Sequence, residues 1–66
     1  MECIVNGERK PFAAGDTLLD LIRKHGLEHK RIIAEVDGQL LDSQDWSSTT
    51  LHDGCRIELV HFVGGG

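Results

Sequence analysis

The sequence predicts an α+β fold, a mixed sheet of four to five strands packed on one main helix. Three observations lead there. Two Asx-Gly pairs, Asn6-Gly7 and Asp37-Gly38, each separate two short strand-like runs. The stretch from Asp16 to Gly26 carries a start signal, a stop signal and an apolar stripe at helical spacing. The last run, Cys55 to Val63, alternates with the period of a strand.

Each element has a local reason. Cys3-Ile4-Val5 reads as a strand entering a hairpin, because Asn-Gly supplies the positive φ angles of a type I′ turn. Alternation points Cys3 and Val5 inward and Ile4 to the other face. The return strand runs from Glu8 to about Phe12, and Ala13-Ala14-Gly15 leaves it as a loop. Asp16 or Thr17 then caps a helix by accepting from a first-turn amide. Leu18, Leu21, Ile22 and His25 share one side of it, with Leu19 flanking. Gly26 supplies a left-handed stop, and Leu27 is placed to fold back on the last turn. After the charged connection Glu28 to Arg31, Ile32–Val36 and Gln39–Leu41 form a second hairpin about Asp37-Gly38. Residues 42–53 are polar and turn-rich, anchored by Trp46 and Leu51, with Asp42 or Ser43 able to cap a single helical turn. Asp53-Gly54 opens the final strand, Cys55 to Val63.

Hairpin, helix, hairpin and long last strand is the β-grasp, or ubiquitin-like, order, with the helix on one face of the sheet. The division expected is a β-grasp domain over 1–63 and a flexible Gly-Gly-Gly tail over 64–66.

Composition narrows the function. A chain of 66 residues buries only ~60% of the surface that its unfolded form exposes. That leaves little room for a pocket of the ~300 Å³ that ligands usually need, so a carrier, adaptor or subunit fits better than a self-contained enzyme. The net charge of −4, with Arg and Lys scattered, argues against nucleic acid and for a partner with a basic docking face. No apolar stretch approaches the ~20 residues of a membrane span, and Met1-Glu2 leads directly into a strand-like run. The two cysteines, Cys3 and Cys55, are too few for a disulfide-stapled secreted domain. A cytoplasmic location with reduced thiols is expected.

The final run bears the function. Ile57, Leu59, His61 and Val63 share one face, which should meet the helix; Arg56, Glu58, Val60 and Phe62 share the other. Val60 and Phe62 therefore point outward just before Gly64-Gly65-Gly66, as a contact patch. Three glycines cannot pack and cost much entropy to order, so they read either as a frayed end or as a side-chain-free arm that threads a partner's channel. Three extended residues reach only ~10 Å, so the partner must also grip Val60 to Val63. The α-carboxyl of Gly66, with a pKa near ~3.5, is an ionised and poor electrophile. Adenylation would make it a mixed anhydride open to a sulfur nucleophile, and the resulting thiocarboxylate can deliver sulfur. The chain has no Walker-type loop, so it binds no cofactor itself, and a separate enzyme must use the ATP.

Over nearly its whole length the chain resembles the ThiS family, the sulfur carriers of thiamin biosynthesis. The resemblance rests on Val5-Asn6-Gly7-Glu8, Gly15 to Ile22, Val36-Asp37-Gly38, Trp46, Leu51 and Asp53-Gly54, and above all on the ending from Arg56 to Gly66. It implies that an E1-like adenylating enzyme activates Gly66 with ATP, that a sulfur donor protein supplies the sulfur, and that thiazole synthase receives it. Val60, Phe62, Val63, Gly64 and Gly65 would then bind those partners. The chain departs from the family pattern at Leu41-Asp42-Ser43, where a Val-Pro-Arg-like stretch is common, and at Cys55, where Asp or Asn is common.

Two alternatives stay open: a sulfur-carrying subunit of molybdopterin synthase, and a ubiquitin-like modifier joined to lysines through Gly66. A metal site is not expected. His25 and His29 are four apart, yet Gly26 breaks the helix between them, and two cysteines cannot hold an iron–sulfur cluster. Cys3 and Cys55 can lie close, since first and last strands neighbour each other in this order, but read as structural thiols.

Overall fold

A computed structural model describes residues 1–62 of the chain. The expectations placed on Val63 and on Gly64 to Gly66 lie outside the described residues. The elements are β1 (Glu2–Val5), β2 (Glu8–Pro11), α1 (Leu18–Lys24), β3 (Ile32–Val36), β4 (Gln39–Leu41), a 3₁₀ segment (Ser43–Ser48) and β5 (Arg56–His61). The five strands form one sheet in the order β2-β1-β5-β3-β4. β5 runs parallel to β1 and antiparallel to β3, so the sheet is mixed and the last strand is its centre.

Both hairpins turn as their residues dictate. Asn6 and Asp37 have φ of 50°, and Gly7 and Gly38 have 84° and 87°. Short polar side chains tolerate that left-handed region and glycine occupies it freely. β2 is an edge strand, where the missing N–H of Pro11 costs no ladder bond. The pairing goes one residue beyond it, since Phe12 donates its N–H to the Met1 carbonyl at 2.9 Å.

The helix is closed at both ends. Thr17 is the N-cap: its hydroxyl accepts from the Asp20 amide, while the Asp20 carboxylate accepts from the Thr17 amide at 2.8 Å. That is a capping box, with Asp in the place more often held by Glu. Asp16 instead stabilises the preceding loop, accepting from the Ala13 amide at 3.0 Å. At the other end Gly26 donates to the Arg23 carbonyl and Leu27 to the Ile22 carbonyl, a Schellman motif with Gly26 at φ 69°. His25 differs from the expectation of an apolar-side residue. It is the C-cap and stands exposed, its ring Nδ1–H donating to the Leu21 carbonyl at 2.9 Å, because the chain is already leaving the helix there.

One face of the sheet is the core. Leu18 and Ile22 are fully buried, with Leu21, against Cys3, Val5, Ala34, Ile57 and Leu59. Phe12, Trp46 and Leu51 close the margins. Burying a leucine or isoleucine is worth about 1.5–3 kcal/mol each as an upper figure, so three helix residues hold much of the domain together. The segment after β4 is a 3₁₀ run of six residues rather than a single turn, pinned by buried Trp46. Its return to the helix is direct: Leu18 donates to the Thr49 carbonyl and Leu51 to the Asp16 carbonyl. The last strand starts at Arg56 rather than Cys55, whose N–H closes the Asp53-Gly54 turn onto the His52 carbonyl.

Candidate functional site

The chemistry-bearing features gather on β5 and on the sheet face turned away from the helix. Along β5, Ile57 and Leu59 are buried at 0% and 8%, and Val60 and Phe62 are 52% and 48% exposed. Strand parity places both outward. Val60 lies directly opposite Ile33 of β3, and Phe62 donates its N–H to the Arg31 carbonyl at 3.0 Å, so the pairing continues to the last described residue. His61 follows the inward parity but is exposed. Val63, Gly64, Gly65 and Gly66 are outside the described residues.

Sequence reasoning missed part of this surface. Ile33 is 42% exposed and Leu40 69%, and both stand on the same outward face of the sheet as Val60. The alternation of Ile32–Val36 holds the signal for Ile33, since Ala34 is fully buried and its neighbours must face away. Its adjacency to Val60 depends on the register between β3 and β5, which neither strand announces alone.

A second cluster lies at the other end of β5. The Asp37 carboxylate accepts from the Arg56 amide at 2.9 Å and from the His52 ring Nε2–H at 2.8 Å. These bonds, the amide first, hold the Asp37 carboxyl below its usual range. In return the hydrogen bond to Asp37, followed by that to the Asp53 carbonyl, raises the His52 pKa. Donation from both ring nitrogens requires the imidazolium form. The cluster ties the β3–β4 turn to the start of β5 and is exposed.

Cys3 and Cys55 do come together. The parallel register of β1 and β5 sets them side by side, both fully buried, and both thiols are free. Burial, then the neighbouring Cys55 thiol, pushes the Cys3 thiol up, which suits an inert structural pair rather than a nucleophile. Among the described residues no three His, Cys, Asp or Glu side chains converge as a metal site, and no helix is long and apolar enough to cross a membrane.

Comparison with known proteins follows the same lines. The ThiS family model matches residues 3–66. The sulfur carrier protein ThiS of Bacillus subtilis is 38% identical over 50 residues, which are 76% of this chain and 76% of that protein. A thiazole synthase of Paramagnetospirillum magneticum is 27% identical over all 66 residues, and one of Magnetococcus marinus is 30% identical over the same length. The chain spans only 20% of each of those two synthases. A crystal structure of a thiamine biosynthesis protein (ThiS) from Geobacter metallireducens superposes with a TM-score of 0.82 at 26% identity, covering all of both chains. Fold, family model and relatives agree: the chain belongs to the ThiS family, that of the Bacillus sulfur carrier and the Geobacter thiamine biosynthesis protein.

Proposed function

We propose that the protein is the cytoplasmic sulfur carrier of a thiazole-forming reaction in thiamine biosynthesis. The observation that carries this reading is the family match, which runs through residue 66 and so includes the Gly64-Gly65-Gly66 run. In it Gly66, carried as a C-terminal carboxylate, is the reacting group. An E1-like adenylating enzyme transfers AMP from ATP to that carboxylate and releases pyrophosphate. A sulfide-level sulfur nucleophile supplied by a donor protein attacks the acyl carbon and expels AMP, leaving a thiocarboxylate. Thiazole synthase takes the sulfur, and the carboxylate returns for another round.

Within this scheme the chain is a co-substrate, not an enzyme. The β-grasp domain supplies recognition, with Val60, Phe62 and Val63 as the grip and Gly64 and Gly65 as a slender arm. The two thiazole synthases that contain a module matching this whole chain support thiazole synthase as the receiving partner, since carrier-like module and synthase there share one polypeptide. Intact-mass measurement of the protein purified from its own cells tests the reading. Replacement of one oxygen by sulfur, localised to Gly66, is expected. A chain found only as isopeptide adducts on lysines, or only in a stable complex with a molybdopterin synthase subunit, would replace it by one of the two alternatives.

A further inference from the structure

The outward face of the sheet holds a pair of carboxylates that the carrier chemistry does not use. Glu35 of β3 lies directly opposite Glu58 of β5. Asp37 donates its N–H to Arg56, and Phe62 donates to Arg31, which puts the odd-numbered β3 positions in the hydrogen-bonded class. Residues so paired have Cα atoms ~5.5 Å apart with side chains side by side. Both carboxylates stand on the face away from the helix, because their strand neighbours Ala34, Ile57 and Leu59 are buried. Like charges directly opposite destabilise a sheet. Among the described residues the ion pairs are Arg23–Glu28, His29–Glu28 and His52–Asp37, and none neutralises Glu35 or Glu58.

Around this pair lies the exposed apolar surface. Ile33 and Val60 form the adjacent cross-strand pair, and Leu40 of edge strand β4 lies opposite Glu35. A surface cleft of about 320 Å³ follows the β4 margin past Ile33, Leu40, Leu41, Asp42 and Trp46. A patch of this kind on so small a domain marks an interaction site. A carboxylate pair in its midst matches a guanidinium or ammonium, which could bridge both oxygen sets and relieve the repulsion.

We propose that Glu35 and Glu58 form the charged half of the docking site for thiazole synthase. An arginine or lysine of that enzyme lies between them, while Ile33, Leu40, Val60 and Phe62 take its apolar surroundings. The choice of partner rests on the sulfur-carrier reading and on the two synthases that carry such a module within their own chains. The chain's net charge of −4 favours the same kind of surface.

The test is a titration of the thiazole synthase from the same organism with the full chain, as wild type and as Glu35→Gln/Glu58→Gln, at low and high salt. The double variant should bind ~10-fold more weakly or worse at low salt, the scale of a lost charge-assisted hydrogen bond, and should lose most of the salt dependence. Its melting temperature should stay level or rise, because the like-charge contact is gone. Wild-type affinity in the double variant overturns the proposal, as does a lower melting temperature, which would make the pair structural. Weakening seen only towards the adenylating enzyme, or only in self-association of the chain, overturns the assignment to thiazole synthase. Mass analysis of the wild type keeps the two readings apart. A chain that never acquires sulfur sinks the carrier reading, whereas one that does so and docks independently of Glu35 and Glu58 sinks this one alone.

Discussion

The side-chain amide of Asn6 pairs with the backbone of Leu59 in both directions: its oxygen accepts the Leu59 N–H at 2.8 Å, and its nitrogen donates to the Leu59 carbonyl at 3.2 Å. β1 ends at Val5, the Asn6 N–H still donates to the Ile57 carbonyl at 2.9 Å, and the Asn6 side chain extends the pairing with β5 to Leu59. Asn6 thus serves the turn through its φ of 50° and the sheet through its amide. Asn6→Ala should cost about 1–3 kcal/mol, because a partly buried Leu59 amide is left unpaired. Asn6→Asp keeps the acceptor but sets a carboxylate oxygen against the Leu59 carbonyl, so it too should be less stable than wild type. Urea unfolding of the three proteins checks both expectations.

The Asp37–His52 bond makes stability depend on pH in a defined sense. The folded His52 pKa is raised above the ordinary histidine value of 6.5, so its contribution is complete below that value and is lost as pH rises through the folded pKa. The folded Asp37 pKa is lowered below 3.8, so its contribution is present above that value and fades as pH falls through the folded pKa. The cluster is therefore strongest between the two. His52→Gln should lower the melting temperature near pH 6 and converge with wild type at higher pH. Melting curves across that range decide it, and a gap that widens with pH would contradict the assignment.

Phe62 and Leu59 separate recognition from folding. Phe62 is 48% exposed, and Phe62→Asp should leave the domain folded, since such surface changes usually cost within ~0.5 kcal/mol. As an interface anchor worth ~2 kcal/mol or more, it should weaken binding to the adenylating enzyme by at least ~30-fold. Leu59 is 8% exposed, and Leu59→Asp should unfold the domain by burying an unpaired charge. A titration and a melting curve on each variant distinguish the two roles.

Removing Gly66 should abolish ATP-dependent activation by the adenylating enzyme while leaving circular dichroism and melting unchanged. Pyrophosphate release measured with the purified enzyme reads the first effect. A truncated chain adenylated at the normal rate would place the reacting carboxyl elsewhere.

What the sequence made legible was local. Asn6-Gly7, Asp37-Gly38 and the Gly26-Leu27 stop each act within a few residues, so their chemistry can be read without the fold. The inward parity of Ile57 and Leu59 followed from alternation alone. The Thr17 N–H bond to the Asp20 carboxylate is hard to see in the sequence because Asp is the less usual partner in that box, and the spacing of His25 fits the apolar stripe although its backbone has left the helix. Nothing near Asn6 indicates Leu59, and nothing near Glu35 indicates Glu58. Those contacts depend on how strands distant in the chain align, and the surface proposed for docking is built from them.

The central place of β5 also governs how the protein comes into being. The β1–β2 and β3–β4 hairpins share no ladder, and each is joined to the sheet only through β5. Until that strand has left the ribosome, the two hairpins have no ladder in common, and a lone hairpin is marginal in water. The sheet therefore closes late, by long-range pairing that is intrinsically slow. A nascent chain interrupted before Arg56 lacks Glu58, Val60 and Phe62, so the docking surface exists only on molecules whose synthesis has already passed through β5.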